Sequence, residues 1–376
     1  MILKEWILSG LVYGYALMRG HAKTNMPAPR RVLVWQMAKL GDMVCTTPMF
    51  RALKLAYPEV QITVVGNALN KQLLEGSPDV DDYLIFNGFF TTLRQIRRGN
   101  YDAACVTAPS TIAIAVLFLG DVRCISAPRI TNGSSPYETT AYRTLLQLVA
   151  EHPHRMRHYA PREYLNLLES VGVHTDDTRK HLKFSDSART EIESFLHERG
   201  LSQKKFVAIS PSAGNKIKQW PVDRFARVSQ HIASMGFPVV VIGGSRDRKE
   251  VTEMMLHLEG SSGIINALEK FSIDELKAFL AQAALLVAVD TGPIYIAEAF
   301  GVPTVDITGP IDEQEQPPIG PSHIVVTPPP PRVPELFVMD ARRYNEKEAR
   351  RQADSITVDM VLSACEKVLN QYAPHP

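Results

Sequence analysis

No charge of one sign dominates this chain. Its 41 Lys and Arg stand against 40 Asp and Glu, a net charge of +1, so nothing draws it globally to nucleic acid and any anion it binds is bound locally. Cysteine is scarce: Cys45, Cys105, Cys124 and Cys365 are scattered without a CxxC pair or a paired-His spacing. That excludes a disulfide framework and a zinc motif, and it fits reduced thiols in a cytoplasmic protein. A membrane-spanning run is also missing. The most apolar stretch, Trp6 to Met18, falls short of the about 20 residues that cross a bilayer, and Arg19-Gly20-His21 after it makes a poor cleavage site for a secretory signal. Trp and Tyr beside Lys4, Arg19 and Lys23 leave two readings of residues 1–20 open. One is a helix lying in the interface of the cytoplasmic membrane's inner face; the other is a helix packed on the protein or on a partner chain.

What is present is ample apolar material in a repeating order. With 376 residues, 45% hydrophobic and 22% charged, the chain has enough for two globular domains with real cores. Strand-like runs such as Val32–Trp35, Gln61–Val65, Ala103–Val106, Phe206–Ser210, Pro238–Ile242 and Leu285–Val289 alternate with helical stretches such as Thr46–Tyr57, Ile112–Leu119, Asp223–Met235 and Ile273–Ala281. Such alternation specifies α/β architecture with parallel sheets covered by helices. The expected organisation is an amphipathic helix and linker over 1–30, a Rossmann-like domain over 31–175, a second over 176–345, and a closing helix within 346–376. The polar, His- and Arg-rich stretch Glu151–Arg162 reads as the approach to the seam between halves. In open α/β sheets ligands bind at the carboxyl ends of the strands, so loops following strands are the places to search.

Four such loops carry suggestive residues. After Leu285–Val289 the chain turns through Asp290-Thr291-Gly292-Pro293 into a helix containing Tyr295; a small-residue turn with a proline at the helix start offers main-chain N–H groups and the helix dipole to a diphosphate. The competing reading is that Asp290 or Thr291 merely caps the helix. After Phe206–Ser210 come Ser212, Ala213, Lys216, Lys218 and then Trp220-Pro221, where a lysine can meet a departing phosphate or simply be solvated. After Pro238–Ile242, Gly243-Gly244 allows close backbone approach and Asp247 can accept ribose hydroxyls. In the first half, Lys39-Leu40-Gly41-Asp42 sits where the first strand meets its helix; Asp42 can act as a general base or as a cap.

Together these segments resemble the bacterial heptosyltransferase family of lipopolysaccharide biosynthesis. The matching pieces are Lys39-Leu40-Gly41-Asp42-Met43-Val44-Cys45-Thr46-Thr47-Pro48, Arg51-Ala52-Leu53, Tyr57-Pro58, Trp220-Pro221-Val222-Asp223-Arg224-Phe225, Gly243-Gly244, Asp290-Thr291-Gly292-Pro293, Gly301-Val302-Pro303-Thr304, Thr308-Gly309-Pro310 and Ile319-Gly320-Pro321. The resemblance implies a GT-B type fold, two Rossmann-like domains facing across a cleft, with the last helix lying back across the N-terminal domain. It also implies metal-independent, inverting transfer from a nucleotide-diphosphate sugar, ADP-heptose, to a saccharide or lipid-linked acceptor, the donor being a substrate rather than a cofactor. By motif, Asp42 looks like the base and Lys218 like the lysine at the donor phosphates; Ser212, Gly243, Gly244, Asp247, Asp290, Thr291, Gly292, Pro293 and Tyr295 look like donor contacts.

The chain departs from that pattern in three places: Tyr295 stands where the family usually has His, Asp247 where Glu is usual, and Ala213 where a hydroxyl residue is common, with Ser212 beside it. Acceptor contacts are assigned to Lys39, Gly41, Arg94, Arg97 and Arg98, with Lys71, His152, His154, Arg155, Arg157 and His158 as further basic candidates; ordinary solvated charge is the alternative for this basic set. Transfer is weighed against a nucleotide-sugar epimerase or hydrolase on the same scaffold, and against a non-catalytic sugar-nucleotide-binding protein.

Overall fold

In a computed structural model, which describes residues 2–22 and 25–370, the chain divides into two compact units. The first comprises the chain up to His181 together with Phe337–Arg342, and the second comprises Leu182–Leu336 and the chain from Arg343 onward. Lys23, one of the basic flanks of the first helix, lies outside the described residues, as does the side chain of Lys4.

The first unit runs α1 (Ile2–Arg19), β1 (Arg31–Trp35), α2 (Leu40–Ala56), β2 (Gln61–Gly66), α3 (Ala68–Leu74), β3 (Asp82–Ile85), α4 (Phe89–Gly99), β4 (Ala103–Val106), α5 (Thr111–Leu119), β5 (Cys124–Thr131), α6 (Thr140–Leu146), β6 (Ala150–Arg155) and α7 (Ala160–Asn166). Its six strands are all parallel, in the order β3-β2-β1-β4-β5-β6. The His- and Arg-rich segment expected near the seam is instead β6, the edge strand, and the boundary falls later, after His181. An edge strand has one unpaired side and one covered face, so its polar alternation hid its pairing with β5.

The second unit runs α8 (Asp186–Glu198), β7 (Val207–Ser210), α9 (Val222–Ser234), β8 (Val239–Gly243), α10 (Arg248–His257), β9 (Ile264–Leu268), α11 (Ile273–Ala281), β10 (Leu285–Val289), α12 (Gly292–Ala299), β11 (Thr304–Ile307), β12 (His323–Val326), α13 (Glu346–Ser355) and α14 (Val358–Leu369). Its parallel order, β12-β11-β10-β7-β8-β9, repeats the first sheet's pattern, the Rossmann order. The central strands are buried throughout, as all-parallel strands covered on both faces require.

α14 belongs to the second unit: Val361, Ala364, Cys365, Val368 and Leu369 are buried in that unit's own core with Val207, Ile209 and Val287. Its junction with α13 is held by Trp220, whose Nε1 donates to Ile356 O at 2.9 Å, and by Arg224, which donates to Asp354 O and Ile356 O at 2.6 and 2.7 Å. The Trp-Pro motif is therefore a peg for the C-terminal helices.

In the first unit, α5 (TIAIAVLFL) has no polar face. A helix apolar all round has to be covered on every side; the sheet covers one side, and α1 lies on the other through Val12 and Ala16.

Candidate active site

Each sheet reverses its strand order at one place, between β1 and β4 in the first unit and between β7 and β10 in the second. The crevice beyond the carboxyl ends at such a switch point is where α/β sheets hold ligands. Asp42 follows β1; Lys218 follows β7; Asp290 follows β10. Both units thus present their chemistry-bearing residues at equivalent positions.

Asp42 is the third residue of α2, and its Oδ2 accepts the N–H of Lys39 at 3.1 Å. It does part of a capping residue's work, and this bond fixes where the half-buried carboxylate stands. The turn before it is held from beneath. Buried Gln36 donates from Nε2 to Thr46 Oγ1 at 3.0 Å and accepts the Ala38 N–H at 3.0 Å, while Asn67 and Asn70 both donate to Ala38 O, at 3.1 and 2.9 Å. Thr46 in turn donates to Asp42 O at 2.7 Å. Sequence reading missed Gln36, Asn67 and Asn70; the available signal was a glutamine immediately after the apolar run of β1. Lys39 is exposed at the helix start and Gly41 is buried in the first turn.

In the second unit the Lys218 ammonium pairs with Asp290 Oδ2 and donates to Asp290 O at 3.2 Å, and the Tyr295 hydroxyl donates to Asp290 Oδ1. Asp290 and Tyr295 are buried, Lys218 partly so. The Asp290 carboxylate is held by Lys218 and Tyr295, the N-cap residue Thr291 makes no side-chain cap bond, and α12 opens with Gly292 and Pro293 as its first two residues. Ser212 accepts from Lys216 at 3.2 Å, and Lys216 pairs with Glu250 at 2.8 Å. Asp247 accepts the Gly244 N–H at 2.9 Å, closing the turn after β8. At Gly243 a Cβ would stand 3.0 Å from Val251 and 3.1 Å from Asp247, which is why that turn takes glycine.

A residue that the sequence reading passed over lies under this site. Asp306, on β11 in register with Ala288, is fully buried with no partner recorded for Oδ1. Burial, then the neighbouring Asp290 charge, push its carboxyl well above the ordinary range, against the pull of Lys218. An aspartate within a buried parallel strand was the visible signal.

The arginines proposed as acceptor contacts lie on α4. Arg97 donates from Nε to Leu119 O at 3.0 Å, at the carboxyl end of α5; α5 runs away from the strand ends that carry the switch point. Arg98 shares the last turn of α4 and Arg94 lies one turn earlier. His154 also leaves the basic set: it is buried, and burial lowers its pKa to about 4. His152 bonds Ser170 at 2.7 Å, and Arg155 pairs with buried Glu163 at 2.8 Å. What the switch-point edge does carry is a cavity of about 400 Å³ at the ends of β5 and β6, lined by Asn132, Gly133, Ser134, Arg157, Phe337 and Asp340 among others. The short return segment Phe337–Arg342 closes it, fastened by Ser135 Oγ to Met339 O at 2.6 Å and by Arg342 stacked 4.7 Å over Tyr137.

A doubled Rossmann-like plan with these residues at both switch points is the plan of a glycosyltransferase. Residues 90–337 match the model of glycosyltransferase family 9 (heptosyltransferase), and the chain belongs to that family. Lipopolysaccharide heptosyltransferase 3 of Escherichia coli strain K12 is 24% identical over 354 residues, covering 89% of this chain and 96% of the relative. Among solved structures, a glycosyl transferase family 9 protein from Veillonella parvula aligns with a TM-score of 0.72 at 21% identity, covering 93% of this chain and all of that one. The E. coli ADP-heptose lps heptosyltransferase II aligns with a TM-score of 0.69 at 18% identity, covering 91% and 99%. These similarities fix the fold.

Proposed function

We propose that the protein transfers a heptose from ADP-heptose to a saccharide of the lipopolysaccharide core, with inversion and without a metal ion. The observation that carries this reading is the equivalence of the two switch points, one bearing a fixed carboxylate and the other a lysine with an uncapped helix N-terminus. In this reaction the acceptor hydroxyl oxygen attacks the anomeric carbon from the face opposite the diphosphate, and Asp42 takes the hydroxyl proton. The bond from the anomeric carbon to the diphosphate oxygen breaks, its electron pair leaving with ADP. Lys218 and the main-chain N–H groups at Thr291 and Gly292 receive that charge. Gly243, Gly244 and Asp247 line the nucleoside side, and Ser212 supplies the hydroxyl that Ala213 lacks. Tyr295 orients Asp290 toward the sugar hydroxyls through its hydrogen bond; it brings no positive charge, since a phenol is neutral near pH 7. The cavity at Asn132, Ser134 and Arg157, on the Asp42 edge of the sheet, is the acceptor site in this reading.

The reading is tested by incubating the protein with ADP-heptose, with and without a heptose-acceptor core oligosaccharide, and following ADP release and acceptor mass. ADP release that needs the acceptor and adds one heptose supports transfer. ADP release without acceptor indicates a hydrolase, a changed sugar with no release an epimerase, and binding with no turnover a sugar-nucleotide-binding protein. Asp42→Asn is expected to lower turnover about 10²- to 10⁴-fold, with donor affinity unchanged.

A further inference from the structure

α1 has its polarity reversed. Its outward residues are Trp6, Ile7, Gly10, Leu11, Gly14, Leu17 and Met18, which at about 100° per residue fall within one arc of about 140° holding no polar side chain. Trp6 is 46% exposed, Ile7 56%, Leu11 61%, Met18 80% and Leu17 87%. The polar side chains of residues 5–19 are turned to the protein. Glu5 accepts from Thr139 at 3.0 Å, Ser9 donates to Ala141 O at 3.4 Å, Tyr13 to Thr144 O at 3.0 Å, Tyr15 to Asp121 at 2.6 Å, and Arg19 to Phe118 O and Val122 O at 2.6 and 2.7 Å. Those bonds fix the rotation of the helix, so the apolar arc cannot roll inward without breaking them.

Beside this face stand unneutralised cations. Arg94, Arg97 and Arg98 lie at i, i+3 and i+4 on α4, all exposed, and none forms an ion pair among the described residues. α4 packs on α5, as α1 does. Arg97 bonds Leu119 O while Arg19 bonds Phe118 O, so the arginine-bearing end of α4 and the end of α1 meet the same turn.

We propose that α1 is an interfacial anchor that seats the first unit on an anionic phospholipid bilayer, its Trp6–Met18 arc entering the headgroup boundary and Arg94, Arg97 and Arg98 meeting lipid phosphates. Charge complementarity selects this occupant. A second copy would bring the same arginines and the same apolar arc, whereas an anionic surface satisfies both. The helix lies flat, consistent with the finding that no helix among the described residues is long and apolar enough to cross a membrane. The inference stands on α1 and α4 alone and survives if the transfer reading fails.

The full chain carries its own reporter. Of the three tryptophans, Trp35 and Trp220 are buried and Trp6 is exposed, so a change in emission on adding vesicles reads α1. Vesicles of phosphatidylcholine with a quarter phosphatidylglycerol are expected to bind the protein in flotation, to blue-shift Trp6 and to let brominated lipid quench it; pure phosphatidylcholine is expected to bind far less. Leu11→Glu with Leu17→Glu, both at exposed positions, should abolish binding with the melting temperature unchanged. Replacing Arg94, Arg97 and Arg98 with Gln should weaken binding about fivefold per residue, as should raising the salt to a lesser degree. Failure of the wild-type chain to float with anionic vesicles overturns the proposal, and so does binding that the double Glu variant retains. Concentration-dependent dimers that this variant abolishes, with no vesicle binding, would assign the face to a second copy instead.

Discussion

In the proposed transfer Asp290 has two tasks: to hold sugar hydroxyls, and to hold Lys218, which it pairs with in the structure. Its carboxylate is shared between the lysine ammonium and the Tyr295 hydroxyl, so an arriving diphosphate competes with Asp290 for the same cation. Asp290→Asn is therefore expected to tighten ADP binding, by roughly tenfold for about 1.4 kcal/mol of relieved competition, while lowering turnover with the sugar nucleotide. Calorimetry with ADP, set beside the transfer assay, checks it; weaker ADP binding would place Asp290 among the phosphate-orienting groups. The buried carboxyl of Asp306 beneath it has a separate signature. Because the Asp306 carboxyl is raised in the folded protein above its ordinary 3.8, the stability it contributes is present below that value and is lost as pH rises toward the folded pKa. Asp306→Asn keeps the uncharged form at every pH, so its stability relative to wild type should grow by about 1.4 kcal/mol per pH unit from about pH 4 upward until the folded pKa is passed. Urea unfolding at several pH values measures this, and a constant difference would show that Asp306 titrates normally. At this scale Asp42 and Lys218 stood out in the sequence, because few roles suit those residue types at strand ends. It concealed Gln36, Asn70 and Asp306, whose work depends on which buried atoms they meet.

Elements were legible where one force decided them. β4, α11 and β10 fall where the apolar pattern put them, because their cores are apolar and their ends are marked by turn residues. α2 begins six residues before the helical pattern suggested, at Leu40, since the Lys39–Asp42 capping bond and the Gln36–Ala38 bond support a first turn that has no apolar periodicity. β6 was misread because its sequence is polar, and its own chemistry gives it a test. His154 is buried there with its pKa lowered to about 4 by burial, below the ordinary 6.5. The unfolded chain therefore takes up a proton that the folded one refuses; the associated stability is complete above about pH 6.5 and is lost as pH falls through about 4. That loss amounts to about 3 kcal/mol for the first unit, and His154→Gln should flatten it, giving a variant whose unfolding midpoint changes less between pH 7 and pH 4 than that of wild type. An equal slope in both proteins would assign the acid sensitivity to other groups.

The whole molecule is one topology used twice, and that was the most legible feature of all: alternation of apolar strands with helices leaves few arrangements for two parallel sheets. The last helix could not be placed from sequence, because its apolar stripe would suit any complementary sheet edge, and only the Trp220 and Arg224 bonds to residues 354–356 select the second. In the proposed transfer one plan serves two substrates, which predicts a division of labour that can be read amide by amide. ADP alone, at about a hundred times its dissociation constant, should slow hydrogen exchange up to about a hundredfold in Asn215–Trp220, Gly243–Asp247 and Thr291–Tyr295, where the opening reaction breaks the site. The amides of Ala38–Asp42 and of Asn132–Ser134 should exchange unchanged, since the proposed function gives them to the acceptor. Core oligosaccharide alone should give the reverse pattern. Protection of Ala38–Asp42 by ADP alone would mean that the first unit reads the nucleotide, and the assignment of donor and acceptor to separate sheets would then have to be exchanged.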